Sequence, residues 1–249
     1  MRVIGVLNYK GGTGKTTTVV NVAAGLALRG ARVLCVDLDA QGGLATWMGV
    51  PYTHTLAQVL LGQAEPQDCI VRARENLDII SSDHSLVQAE GELWRMADHA
   101  RARHRLADRM STLTDYEYVL LDFSPSAGLI CECGLCYAQE LVVPVAMNYM
   151  ALVGTRQVVE TLKTIGRLPD HHIRLSMIVP TFYDERLRKD QEVMGILQHY
   201  FADKVTEPIR ADVKLSEAPG YGKSIYEYAP RSAGALDYSH LVERIVNNA

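Results

Sequence analysis

The stretch Lys10-Gly11-Gly12-Thr13-Gly14-Lys15-Thr16-Thr17 decides the fold. The apolar run Val3–Leu7 precedes it and a helical pattern over Lys15–Arg29 follows, so it reads as a glycine-rich loop between a strand and a helix. Glycines at such a turn let backbone N–H groups converge on phosphate oxygens without a Cβ in the way. The helix N-terminus adds partial positive charge at the same spot. Lys15 is placed to reach the β- and γ-phosphates and the Thr16 hydroxyl to coordinate Mg²⁺. The common spacing G-x-x-x-x-G-K-[ST] would need glycine where Tyr9 stands. The chain instead meets a deviant form, K-G-G-x-G-K-T-T, with an additional lysine at its start.

Outward from this loop, short apolar runs alternate with longer helical stretches, the pattern of a parallel sheet covered by helices. The runs Val3–Leu7, Arg32–Asp37, Leu77–Ile80, Tyr118–Asp122, Leu141–Pro144 and Ile173–Val179 predict strands buried on both faces. Helices are predicted over Lys15–Arg29, Leu56–Leu61, Glu90–Leu113, Leu129–Gln139, Leu152–Arg167, Lys189–Tyr200 and Leu236–Val246, with Gly30 closing the first. No Pro/Gly/Ser-rich linker divides the chain. The expectation is one domain over residues 1–249: a doubly wound α/β fold with a mostly parallel sheet and helices on both faces.

Bulk properties narrow the function classes. At 249 residues and 48% hydrophobic, the chain can bury a sizeable core. Its net charge of −4 excludes bulk attraction to nucleic acid or acidic membrane, although a local basic patch could still bind either. No apolar run approaches the roughly 20 residues that span a bilayer, and the N-terminus opens straight into the first strand, so no signal peptide is expected. Five cysteines, three of them in Cys131-Glu132-Cys133-Gly134-Leu135-Cys136, argue for a reducing compartment rather than a disulfide framework.

Two carboxylate sites accompany the loop. In Asp37-Leu38-Asp39-Ala40-Gln41-Gly42 the aspartates stand two apart at a strand end. They point the same way, towards the edge where open α/β sheets bind ligands. In Tyr118-Val119-Leu120-Leu121-Asp122 an apolar strand ends in Asp122, the Walker B form that holds Mg²⁺ directly or through water. The absence of N-K-x-D or T-K-x-D favours adenine over guanine.

The loop resembles that of the ParA/Soj/MinD group of deviant Walker A ATPases, and the resemblance extends over nearly the whole chain. It implies an ATP hydrolase with ATP and Mg²⁺ as cofactors, in which Gly11, Gly12, Thr13, Gly14, Lys15, Thr16 and Thr17 hold the phosphates. Lys10 would reach across a homodimer to the partner's nucleotide. The resemblance to D-x-D-x-Q-G implies that Asp37 lies in the outer Mg²⁺ shell, with Thr16 and Asp122 as the other metal residues, and that Asp39 positions or activates water. Ser124 departs from the family's L-L-D-x-P-P. The segment Glu207–Asp212 resembles the family's base pocket, which implies Pro208 and Arg210 there.

The stretch from Arg210 to Lys223 resembles P-R-x-x-x-L-x-E-A-P-x-x-G-K of partition ATPases. It implies a non-specific double-stranded DNA surface formed by Arg210, Lys214, Lys223, Arg186, Arg188 and Lys189 when ATP dimerises the protein. No helix-turn-helix precedes the loop, so the short, Soj-like type is implied: cytoplasmic, nucleoid-associated with ATP, and stimulated by a ParB-like or cargo adaptor to segregate a chromosome, plasmid or cargo. Two alternatives share the P-loop class. Cys131, Cys133 and Cys136 could carry an iron–sulfur cluster at a dimer interface, although buried cysteines also serve as small core residues. A MinD-like membrane switch would need a basic amphipathic C-terminal helix. Here the apolar positions 238, 241, 242, 245 and 246 suit core packing and the only cation is one Arg, so no membrane partner is expected.

Overall fold

The computed structural model describes residues 1–96, 98–166 and 173–248. Its strands are β1 (Arg2–Val6), β2 (Val33–Leu38), β3 (Ile70–Arg74), β4 (Leu77–Ile80), β5 (Tyr118–Phe123), β6 (Glu140–Ala146), β7 (Arg174–Tyr183) and β8 (Ile209–Arg210). They form one sheet in the order β3-β4-β2-β5-β1-β6-β7-β8, parallel throughout except for the β3–β4 pair. The helices are α1 (Lys15–Leu28), α2 (Gly43–Met48), α3 (Leu56–Leu61), α4 (Ser85–Trp94), α5 (His99–Met110), α6 (Leu129–Tyr137), α7 (Tyr149–Ile165), α8 (Arg188–Phe201), α9 (Val213–Glu217), α10 (Ile225–Tyr228) and α11 (Ala233–Asn247).

Both faces of the sheet are covered, which is why β2 and β6 are buried at every position and read as continuous apolar runs. One core layer joins the sheet to α1, α2, α10 and α11 through residues such as Val19, Leu44, Ile225 and Leu241. The other joins it to α3 through α8 through Leu56, Leu86, Ala102, Leu129, Val158 and Val193. The doubly wound expectation holds.

Several elements depart from expectation, some for local reasons. The single helix expected over Glu90–Leu113 is two helices, because the Asp98 side chain caps α5 by accepting from the Arg101 N–H at 3.1 Å. Strand β3, Ile-Val-Arg-Ala-Arg, is a partly exposed edge strand without a continuous apolar run. Strand β8 is two residues long, too short to show a period. Helix α7 starts three residues before the expected Leu152, and Arg167, its expected end, lies outside the described residues. Gly30 follows α1 at φ +89°, its N–H bonded to the Ala27 carbonyl, as a left-handed terminator should be.

Helix α11 settles where its apolar stripe goes. Tyr238, Leu241, Val242 and Ile245 are at most 3% exposed, whereas Val246 is 39% exposed. Burying four such side chains in the core is worth on the order of 2 kcal/mol each, so that face is already used. No helix among the described residues is long and apolar enough to cross a membrane.

Candidate functional site

The site is built where β1 ends at the centre of the sheet, between β5 and β6. Gly12 (φ +71°) and Gly14 (φ +85°) turn the chain through the left-handed region, which residues with a Cβ adopt at a cost. Helix α1 then begins at Lys15 with no side-chain cap and no acidic residue in its first turn. Its first N–H groups and the positive end of its dipole are left for an anionic ligand.

Long-range contacts fix the loop. Asn8 is fully buried; its amide donates to the Pro144 carbonyl at 2.9 Å and its Oδ1 accepts from the Lys10 N–H at 3.0 Å. Pro144 lies beyond the β1–β6 pairing, so the Asn8 side chain continues the link between the two strands. The Thr181 hydroxyl of β7 donates to the Thr13 carbonyl at 2.9 Å. Gly154 of α7 packs so closely that a Cβ there would lie 2.2 Å from Asn8 Oδ1.

The two lysines of the loop are treated in opposite ways. Lys15 is 9% exposed and its ammonium donates back to the Lys10 carbonyl at 3.4 Å. Burial lowers its pKa, while the charges of Asp122 and Asp39 oppose that shift. Lys10 is exposed, and its ammonium has no hydrogen bond or ion pair among the described residues. One ammonium is turned back onto its own loop; the other lysine is exposed.

Asp37 and Asp122 are direct partners on the adjacent strands β2 and β5, at 0% and 1% exposure. Asp37 accepts from the Asp39 N–H and the Leu44 N–H, each at 3.0 Å. Burial nevertheless pushes its carboxyl up to about 7, with Asp39's charge adding to the rise. Both Asp122 oxygens are buried without a hydrogen-bond partner. Burial and the neighbouring Asp37 raise its pKa well above the carboxylate range, against the pull of the Thr16 hydroxyl and Lys15. Asp39 is half-buried at the rim, its Oδ1 accepting from the Gln41 N–H at 3.0 Å.

Unpaired buried carboxylate oxygens beside a hydroxyl fit a hard divalent cation. Among the described residues no three His, Cys, Asp or Glu side chains could hold a metal on their own. That suits Mg²⁺, which keeps waters and shares its shell with substrate phosphates.

Beside the loop, a 240 Å³ cavity is lined by Gly14, Thr17, Trp47, Phe182 and Leu215. A neighbouring 530 Å³ cavity includes Pro208, Tyr183 and His240, and Arg210 borders both. Sequence reasoning missed Phe182, which sits at φ +56° where the β7–β8 register shifts and lies close to Gly14. A bulky side chain in that region costs on the order of 1–3 kcal/mol and persists only where its surroundings hold it. Nothing in its sequence context announces the backbone conformation.

The cations expected to face DNA are largely paired. Arg210 makes a bidentate ion pair with Asp237, which is 8% exposed and also accepts from the Arg210 N–H. Lys189 pairs with the fully buried Asp190 and donates to the Met147 carbonyl. Lys214 pairs with Glu217, Arg186 with Asp184 and Arg188 with Glu192, all at the surface. Lys223 is exposed with no side-chain partner among the described residues.

Four of the five cysteines are buried and Cys136 is half-buried. All five are free; Cys133 is fully buried with its thiol donating to the Ala102 carbonyl, and Cys131 is 4% exposed against the Tyr9 hydroxyl. Burial pushes both thiols up to about 12. Cys131 and Cys133 are buried among core side chains.

Known proteins resemble this chain over nearly its whole length. A family model described as an AAA domain matches residues 1–175. The chain is 33% identical over 255 residues to the chromosome partitioning protein ParA of Caulobacter vibrioides, covering 99% of this chain and 94% of that protein. It is 36% identical over 247 residues to the chromosome-partitioning ATPase Soj of Thermus thermophilus, covering 99% and 96%. Among solved structures, cobyrinic acid a,c-diamide synthase from Mycobacterium smegmatis, bound to an ATP analog and magnesium, gives a TM-score of 0.86 at 28% identity. That match covers 100% of this chain and 95% of the synthase.

Proposed function

Because the chain belongs to the ParA/Soj family of chromosome-partitioning P-loop ATPases, we propose that ATP closes it into a homodimer that holds DNA non-specifically and lets go on hydrolysis. The observation that carries this reading is the divergence of the two lysines. Lys15 is folded into its own site, whereas Lys10 follows a backbone pinned by Asn8 and has no anionic partner among the described residues. A triphosphate on a second copy supplies that missing anion.

In each protomer Gly11–Thr17 would cradle the phosphates, with Thr16 and Asp122 holding Mg²⁺ and Asp37 behind them. When bound, the cation neutralises charge on the phosphate oxygens. Asp39 would orient the water whose oxygen attacks the γ-phosphorus as the bond to the bridging oxygen breaks, giving ADP and phosphate. Phe182 and Pro208 would flank the adenine. Arg210 and Lys189 are tied to buried acids, so the DNA contacts rest on Lys223, Lys214, Arg188 and Arg186. Exposed pairs such as Lys214–Glu217 are worth under about 1 kcal/mol and give way to phosphate. Doubling this modest patch by dimerisation makes binding steep and salt-sensitive. The cycle would act in the cytoplasm, paced by a ParB-like or cargo adaptor.

Size-exclusion and DNA-shift measurements with ATP, ADP and no nucleotide, at two salt concentrations, test this. ATP alone should give a dimer that shifts DNA, less so at high salt. Lys15→Ala should bind no nucleotide, Lys10→Ala should bind ATP yet stay monomeric, and Asp39→Ala should remain an ATP-bound dimer. A Lys10→Ala protein that dimerises like wild type sinks the reading.

A further inference from the structure

Helix α6 starts directly after the loop that follows Asp122, and its N-cap residue is Gly128, which has no side chain to cap it. An uncapped first turn leaves N–H groups without partners. Here the acceptor comes from another helix: Glu90 of α4 takes the Ile130 N–H on Oε1 at 3.2 Å. The carboxylate also lies against Gly128, where a Cβ would come within 2.2 Å of Oε1 and 3.4 Å of Oε2. A negative charge at this position favours the helix dipole as well.

Helix α4 is firmly seated, with Leu86, Ala89 and Leu93 at most 3% exposed. Its N-terminal approach touches the other acidic loop: a Cβ on Gly42, at the end of the Asp37–Gly42 turn, would lie 2.6 Å from the Ser82 carbonyl oxygen. Glu90 thus joins α4 to the chain that follows Asp122, while the turn that precedes α4 lies against the chain that follows Asp39.

We propose that Glu90 is a positioning residue for hydrolysis. As the external cap of α6 it fixes the Ser124–Gly128 loop, and through it the setting of Asp122, without touching nucleotide. This rests on the ATPase reading above. The phosphate loop is held by Asn8, Thr181 and Gly154, and losing Glu90 keeps the Asp122 charge and shifts only its setting, so nucleotide binding is largely kept while the rate of the step falls.

Steady-state ATP turnover, paired with hydrogen exchange over residues 128–132, tests this on the full chain. Glu90→Ala should lower kcat by roughly tenfold or more while leaving KM within about twofold, since small displacements of reacting groups act on the chemical step. Exchange at the start of α6 should speed up by about tenfold once the cap is gone. Glu90→Gln keeps an acceptor oxygen and should restore both readouts to within about threefold of wild type. Gly128→Ala, which displaces the carboxylate from the other side, should reproduce the loss of kcat and covers the case in which Glu90→Ala does not fold. Wild-type kcat in Glu90→Ala or in Gly128→Ala, or a Glu90→Gln protein as slow as Glu90→Ala, overturns the proposal. A wild-type protein without ATP turnover sinks the ATPase reading instead, and the exchange measurement then still decides whether Glu90 caps α6.

Discussion

The two ends of the sheet handle buried acid in opposite ways. At the N-terminal end of β6, Glu140 is 5% exposed and fully partnered: the Arg2 guanidinium reaches both its oxygens at 3.0 and 3.1 Å, and Arg174 approaches at 3.3 Å. At the C-terminal end of β5, Asp122 is 1% exposed with no partner on either oxygen, beside a second buried carboxylate in Asp37. Both arrangements carry a desolvation cost of several kcal/mol per ion. Only the first is offset within the chain. The ATPase reading proposed above accounts for the difference: the second end would receive its cation from outside the chain.

The largest effect should come from breaking the satisfied end. Arg2→Ala removes the bidentate partner and a hydrogen bond to the Ile245 carbonyl. With Arg174 left as a fallback, the loss should be about 2–3 kcal/mol in urea unfolding, below the full cost of an abandoned buried charge. The pH dependence has a definite sign. Burial pushes the Glu140 carboxyl up, but the hydrogen bonds and charge of Arg2, with Ser176 and Arg174, hold it below its ordinary value. Its stabilisation is therefore present above the usual glutamate range near pH ~4.3 and lost as pH falls through that range and below. Arg2→Ala should flatten this acid limb; an unchanged limb would mean that Arg2 does not govern Glu140.

Neutralising the unsatisfied end should do the reverse. Asp122→Asn removes a buried carboxyl whose charged form burial and Asp37 disfavour, and should stabilise the nucleotide-free, metal-free protein by about 1 kcal/mol. The same variant should lose the added stability that MgATP gives wild type, about 2.7 kcal/mol at a hundred times Kd. If Asp122→Asn is less stable than wild type in EDTA, the carboxylate has an internal role and the contrast between the two ends fails.

What was legible in the sequence follows the range of each interaction. The glycine loop and the aspartates at strand ends are local statements, because φ at Gly12 and Gly14 and the direction of Asp37 and Asp122 are set within a few residues. The buried strands were legible because burial on both faces leaves continuous apolar runs. Asn8 bonding to Pro144, Thr181 to Thr13 and Glu90 to Ile130 join residues far apart in sequence, and no spacing rule marks either partner. The basic stretch in the C-terminal third shows the same limit. Its cations are plain in the sequence, but the acid that holds Arg210 stands 27 residues away.

That last point gives the finest test of the comparison, carried to the surface. Arg210 and Lys223 have the same formal charge and lie in the same stretch, yet Arg210 already satisfies the largely buried Asp237 and Lys223 satisfies nothing among the described residues. Lys223→Ala should leave stability unchanged and lower the slope of log affinity for DNA against log salt by about one per protomer that contacts DNA. Arg210→Ala should cost stability first, because it strands Asp237, and should leave that slope nearly where it was. Unfolding curves and salt titrations of DNA binding separate the two outcomes. Equal slopes for the two variants would mean that pairing in the free protein does not predict which cations meet phosphate, since an ion pair that opens on binding would count as free.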